Sequence, residues 1–184
     1  MSKLFLLTAL VAILGFSACN KKTSTQKTPP PKGKVVVKDH TTTAPAPAAT
    51  ATSSQLETDL KLIKEYIKAN NLKKVESTAS GIHYIIENPG SGAKPTLKST
   101  VKCHYKGTLL DGTEFDSSYK RNAPIDFPLT GVIKGWQEAI PLLAKGGKGK
   151  FIIPSELAYG SKQVGASIKP NSVLVFDVEL LDVK

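Results

Sequence analysis

The sequence is poor in the side chains that most often carry chemistry or metals. It has two cysteines, three histidines and one tryptophan in 184 residues. His40, His83 and His104 are far apart and show no ligand spacing, which argues against a metal centre. Cys19 and Cys103 allow one disulfide at most; if Cys19 is modified, Cys103 is left as a lone thiol in the strand-like stretch VKCHYKG, where a buried, inert role fits best. No apolar run reaches the roughly 20 residues of a membrane span. Gly146-Gly147 beside Lys148 and Lys150 lacks the strand-loop-helix context of a phosphate loop and reads as a tight turn. Charge of one sign is not concentrated on the folding part of the chain. About half of the formal net charge of +10 comes from Lys21, Lys22, Lys27, Lys32, Lys34 and Lys38, outweighing Asp39, and the scattered remainder does not suit nucleic acid.

What is present divides the chain into four stretches. Residues 1–18 have the pattern of a secretory signal: Lys3, an apolar run from Leu4 to Gly15, then small residues. Ser17-Ala18-Cys19 resembles the lipobox of bacterial lipoproteins, with Phe16 in place of the usual leucine, and the resemblance implies a lipidated Cys19. Simple cleavage after Ala18 is the alternative. Residues 19–54 are rich in Lys, Thr, Pro, Ala and Ser and cannot bury enough apolar surface to offset ordering entropy, so they are expected to be a disordered tether. The tether lysines suit either plain solvation or an anionic lipid surface.

Residues 55–79 hold one amphipathic helix and a connection. Ser54-Gln55-Leu56-Glu57 fits a capping box, and Leu56, Leu60, Ile63 and Ile67 form a stripe with Tyr66 beside it, ending near Asn70-Asn71. About 15 helical residues are marginal alone in water, so the stripe must dock on its own domain or on a second copy; a monomer is expected.

From residue 80 to 184 the pattern turns to short alternating runs: Ile82, Tyr84, Ile86, then Val101, Cys103, Tyr105, then VLVFDVELLDV with Leu174, Phe176, Val178 and Leu180 on one face. Turn residues separate them at 88–92, 111–112, 121–124, 146–147 and 169–171. One central helix is expected over Lys134–Leu143, with Trp136, Ala139, Ile140 and Leu143 on its buried stripe. The fold class is α+β, an antiparallel sheet over a single short helix.

Four segments occur together in this part: VKCHYKGTLLDGTEFDSS, FPLTGVIKGWQEAI, GGKGKFIIPSELAYG and PNSVLVFDVELLDV. In that order they resemble the FK506-binding-protein (FKBP) type of peptidyl-prolyl cis-trans isomerase. The resemblance implies a curved antiparallel sheet wrapped around a short helix, no cofactor, and an apolar pocket for a proline-containing polypeptide. It implies pocket walls at Phe115, Phe127, Val132, Ile133 and Phe176, a floor at Trp136 and a flap contact at Ile168. Asp116, Tyr105 and Tyr159 would be the polar groups nearest the rotating bond, with Arg121 paired to Asp116. Anchoring of the following turn through Ser117 and Ser118 is the other role open to Asp116. FK506 or rapamycin would compete for such a pocket. The stretch 161–167, Lys169 and Leu157 depart from the family pattern, on the flap rather than in the pocket. Function is then catalysis of Xaa-Pro rotation in exported proteins, on a lipid-anchored chain facing the periplasm, with an outer-membrane anchor; a proline-binding chaperone module is the alternative.

Overall fold

The structure, a computed structural model, describes residues 48–184, with side chains from Ser54 onward. The expected signal, the lipidated Cys19 and most of the tether lie outside the described residues. Helix α1 (Ala48–Ala69) is followed by β1 (Glu76–Ser77), β2 (His83–Asn88), β3 (Thr100–Leu109), β4 (Glu114–Ser117), β5 (Ile125–Pro128), helix α2 (Lys134–Ala139), β6 (Lys148–Ile153) and β7 (Leu174–Val183). Single 3-10 turns lie at Leu129–Gly131, Ile140–Leu142 and Ser155–Leu157. No helix among the described residues is long and apolar enough to cross a membrane.

The sheet is antiparallel throughout, in the order β1-β2-β6-β7-β3-β4, with β5 also paired to β3. Strand β3 shows why. Val101, Cys103, Tyr105 and Gly107 are buried at every second position, while Lys102, His104 and Lys106 turn outward, the period-two pattern of a strand with one face on a core. That core lies between the concave face and α2, and Trp136, Ala139, Ile140 and Leu143 are all in it, as the stripe required. Cys103 is fully buried; burial first, then the nearby Asp126 charge, push its thiol up to about 12, so it has little thiolate character.

Two expectations need correction. The central helix stops at Ala139 and continues only as a 3-10 turn, because Pro141 has no N–H to donate and its ring would meet the carbonyl four residues back. The lead helix is longer than expected: it spans 22 residues from Ala48, so Ser54–Glu57 lie inside it and do not cap it. Alanine is the best helix former, and Ala48-Ala49 extend the helix with no large apolar side chain to mark them. Its C-terminus does fall where expected, with Asn71 in the left-handed region (φ 51°) and the Leu72 amide returning to the Ile67 carbonyl at 3.0 Å.

Helix α1 docks on its own domain. Ile63 is fully buried against Ile152, Val173 and Val175, with Tyr66, Ile67, Leu72 and Leu110 around it. Val175 alternates with Leu174 and Phe176 and so lies on the other face of β7, where α1 covers it. Burying Ile63 alone contributes about 1.5–3 kcal/mol, enough to hold a helix that would be marginal in isolation.

Candidate active site

The pocket forms where the concave face meets the start of α2. It has a volume of about 310 Å³ and is lined by Tyr105, Phe115, Asp116, Phe127, Gly131, Val132, Ile133, Trp136, Tyr159 and Phe176. Strand β3 brings Tyr105, β4 brings Phe115 and Asp116, β5 brings Phe127, β7 brings Phe176, and α2 raises Trp136 from below. Gly131 is the one lining residue that sequence reasoning missed; a residue without a side chain leaves no apolar signal.

The floor is a set of rings locked edge to face. Trp136 meets Tyr105 at 5.3 Å and 89°, Phe127 at 5.3 Å and 73°, and Phe176 at 5.4 Å and 83°. Phe115 stands on Phe176 at 5.6 Å and 86°. Such pairs prefer this geometry by about 0.5–1.5 kcal/mol beyond their burial, so the floor is fixed before anything binds. A side chain on Gly107 would break the arrangement, since a Cβ there would lie 2.6 Å from the Phe115 ring and 3.0 Å from Phe176. Gly107→Ala is expected to cost about 1–3 kcal/mol and push Phe115 toward the pocket. Urea unfolding reads the first effect, and a higher KM for an Xaa-Pro peptide reads the second.

The polar groups stand on one wall. The Tyr105 hydroxyl and the Arg121 guanidinium both donate to the Asp116 carboxylate. Arg121 Nη2 also donates to the Tyr105 oxygen at 2.9 Å, and its guanidinium sits 5.8 Å from the Tyr105 ring centre. Burial pushes the Asp116 carboxyl up, but the bonds from Tyr105 and Arg121 and the Arg121 charge outweigh it, leaving its pKa below the ordinary 3.8. Burial and the Asp116 bond push Tyr105 up to about 12, so it remains a donor. The turn after β4 meets Asp116 through the Ser117 N–H and Arg121, but it also has a tie of its own. Ser118 holds it, accepting the Tyr105 N–H at 2.8 Å and donating to the Tyr105 carbonyl at 3.1 Å. The Asp116 carboxylate thus lines the pocket while it also meets the turn at Ser117 and Arg121.

Two further lining residues carry donors. The Ile133 N–H precedes α2 and has no acceptor among the described residues, and the Tyr159 hydroxyl has no partner there either. Two expected site residues are not in the pocket lining. Arg121 stands behind Asp116. Ile168, paired to Val164 across a narrow bridge, borders a neighbouring depression that shares Phe115, Asp116 and Tyr159 with the pocket. Sequence reasoning also passed over Asp59 of α1, which is fully buried and accepts from the Ser155 N–H, the Ser155 hydroxyl and Gln55 Nε2, each at 2.7 Å. The signal was available: Asp59 is a carboxylate inside the apolar stripe of Leu56, Leu60 and Ile63.

Comparison with known proteins follows this geometry. Residues 91–181 match the family model of the FKBP-type peptidyl-prolyl cis-trans isomerases. The FKBP-type isomerase FkpA of Aeromonas hydrophila is 53% identical over 122 residues, which is 66% of this chain and 45% of that one, so the chain spans less than half of that relative's length. The crystal structure of FkpA from Escherichia coli superimposes with a TM-score of 0.63 at 45% identity, covering 74% of this chain and 66% of that one. A peptidyl-prolyl cis-trans isomerase from Pseudomonas syringae superimposes with a TM-score of 0.60 at 34% identity, covering 77% of this chain and 99% of its own. With nearly the whole of that isomerase matched, and with the antiparallel sheet, short helix and pocket in place, the chain belongs to the FKBP-type peptidyl-prolyl cis-trans isomerase family.

Proposed function

We propose that the chain accelerates rotation about Xaa-Pro peptide bonds in unfolded or partly folded polypeptides. The observation that carries this is the pocket itself: a rigid aromatic cavity of about 310 Å³ with one carboxylate at its wall and two donors near its rim. An amide resists rotation by about 18–20 kcal/mol because resonance spreads its electrons over N, C and O. Uncatalysed Xaa-Pro exchange takes about 10–100 s, slow enough to limit folding. In the twisted transition state resonance is lost, so the carbonyl is less polar and the nitrogen lone pair is freed. An apolar cavity therefore favours the twisted over the planar amide, and no nucleophile, base or metal is needed.

In this reading the proline ring rests on Trp136 between Phe115, Phe127, Val132 and Phe176. The Ile133 N–H and the Tyr159 hydroxyl hold substrate carbonyls. Asp116, kept ionised and oriented by Tyr105 and Arg121, acts on the rotating carbonyl through its charge. Ile168 meets the chain beyond the pocket, and FK506 or rapamycin competes with substrate. The protein acts as a monomer, exported and anchored through a lipidated Cys19 at the outer membrane, facing the periplasm, where newly exported chains fold. The Cys19 part has its own test: Cys19→Ser should move the cell-expressed chain from the detergent phase to the aqueous phase, and unchanged partitioning would remove the anchor.

Trp136 makes the main test direct, because it is the single tryptophan of the chain and lies in the pocket. Its emission should change on titration with an Xaa-Pro peptide and not with the Xaa-Ala analogue, and the full chain in mild detergent should speed cis-trans exchange of the same peptide. Binding without acceleration would make the chain a proline-binding chaperone module. Neither binding nor acceleration would end the reading.

A further inference from the structure

The isomerase family match begins at residue 91, yet the structure ties the pocket to helix α1, which ends at Ala69. We propose that Asp59 of α1 is a positioning residue for Tyr159, so that the catalytic unit includes the lead helix. The proposal rests on the reading of the pocket given above.

The link runs through Ser155, which is fully buried. Asp59 takes both the N–H and the hydroxyl of Ser155, and the Ser155 carbonyl in turn takes the N–H groups of Ala158 at 2.9 Å and Gly160 at 2.7 Å. Tyr159 sits between those two amides. The residue is 36% exposed, so packing alone does not fix it, and its place at the rim depends on the backbone that carries it. Gly160 is held on its other side by the Asn171 N–H at 2.8 Å. Helix α2 packs on this turn, with Gly135 close to the Leu157 carbonyl, but among the described residues the side-chain hydrogen bonds that reach Ser155 from outside the sheet and its loops come from Asp59.

A buried carboxylate is costly unless its oxygens are hydrogen-bonded, and an apolar residue at position 59 would join the α1 stripe at lower cost. Such a residue would leave the Ser155 N–H and hydroxyl without acceptors and the turn free to shift. No Lys or Arg pairs with Asp59 among the described residues, so what the carboxylate contributes is the placement of Ser155.

The test is a double-mutant cycle in the full chain. Asp59→Ala is expected to raise KM for an Xaa-Pro peptide by about tenfold, since small displacements of a binding group are felt strongly. In a Tyr159→Phe background, where the hydroxyl is already gone, the same change should matter by less than about twofold. Asp59→Asn keeps an oxygen toward Ser155, and its NH2 can donate to Gln55 once the Gln55 amide turns to offer Oε1 in place of Nε2, so it should restore KM to within about threefold of the wild type. Hydrogen exchange at the Ala158 and Gly160 amides should quicken in Asp59→Ala alone, whether or not the peptide turns over. If the wild type binds peptides without isomerising them, the cycle is read on Kd from Trp136 emission, which separates this inference from the isomerase reading. If Asp59→Ala does not fold, Ser155→Ala, which removes one bond of the clamp, takes its place with an expected factor of about three. Equal losses in both Tyr159 backgrounds, or unchanged exchange at Ala158 and Gly160, would overturn the proposal and leave Asp59 as a fastener of α1.

Discussion

Asp116→Ala is expected to lower kcat/KM for Xaa-Pro peptides by about ten- to thirtyfold while the circular dichroism spectrum stays that of the wild type. Removing a fully desolvated electrostatic group from an active site commonly costs about 10²–10³-fold. The Asp116 side chain is 38% exposed, so water screens part of its field and the smaller figure applies. The fold should survive because Ser118, not Asp116, ties the following turn to Tyr105. Unchanged turnover by the folded variant would take Asp116 out of the mechanism. The acid limb gives an independent check. The folded-state pKa of Asp116 lies below the ordinary 3.8, so its contribution to stability is fully present above that value and is lost as pH falls through the folded pKa. The variant should lack that part of the acid dependence. Tyr105 behaves in the opposite sense: raised from 10.0 to about 12, it contributes stability below pH 10 that disappears as pH rises toward 12.

Phe151→Ala should lose about 3–5 kcal/mol of stability, read as a lower urea midpoint at constant slope. Phe151 is 1% exposed and heads the largest fully buried side chains. It lies on β6, in register with Phe176 of β7 and 6.4 Å from the Tyr84 ring of β2. Its removal opens a cavity beneath strands that cannot collapse together without breaking their ladders. Domains of this kind are stable by about 5–15 kcal/mol in total, so the loss is a large share of the whole. Phe176 also forms the pocket floor, so KM should rise with the loss of stability. A midpoint within about 1 kcal/mol of the wild type would mean that the neighbours refill the space.

The sheet, the turns and the buried stripe of α2 were legible in the residues because each follows a local rule, whereas the pocket rings were assigned by the family resemblance and by no local rule. Val101, Cys103 and Tyr105 alternate, Gly112, Asn122, Gly146 and Asn171 all take the positive φ their turns demand, and Trp136 sits on a helical stripe. What was missed depends on partners far away in the chain. The Ser54–Glu57 capping pattern is a local signal, and it gave way to a helix that starts at Ala48. Asp59 looked like a flaw in an apolar stripe; its meaning comes from Ser155, 96 residues on. Gly131 and Gly107 shape the pocket by what they leave out, which no periodicity reveals. Ile168, expected as a flap contact and not as pocket lining, borders the neighbouring depression, where it is bridged to Val164.

Strand β7 occupies the middle of the sheet, between β6 and β3, although it is the last strand to be made. Val101 pairs with Val183 and Leu109 with Leu174, so the two central ladders close only across long stretches of chain. Every pocket residue from Tyr105 to Tyr159 is therefore in place along the chain before the strand that carries Phe176 is added. The domain cannot finish folding during its own synthesis up to residue 174, and contacts this distant in sequence form slowly once it is complete. A chain built this way gains its pocket in one late step, when the central strand slots between two neighbours that are already waiting for it.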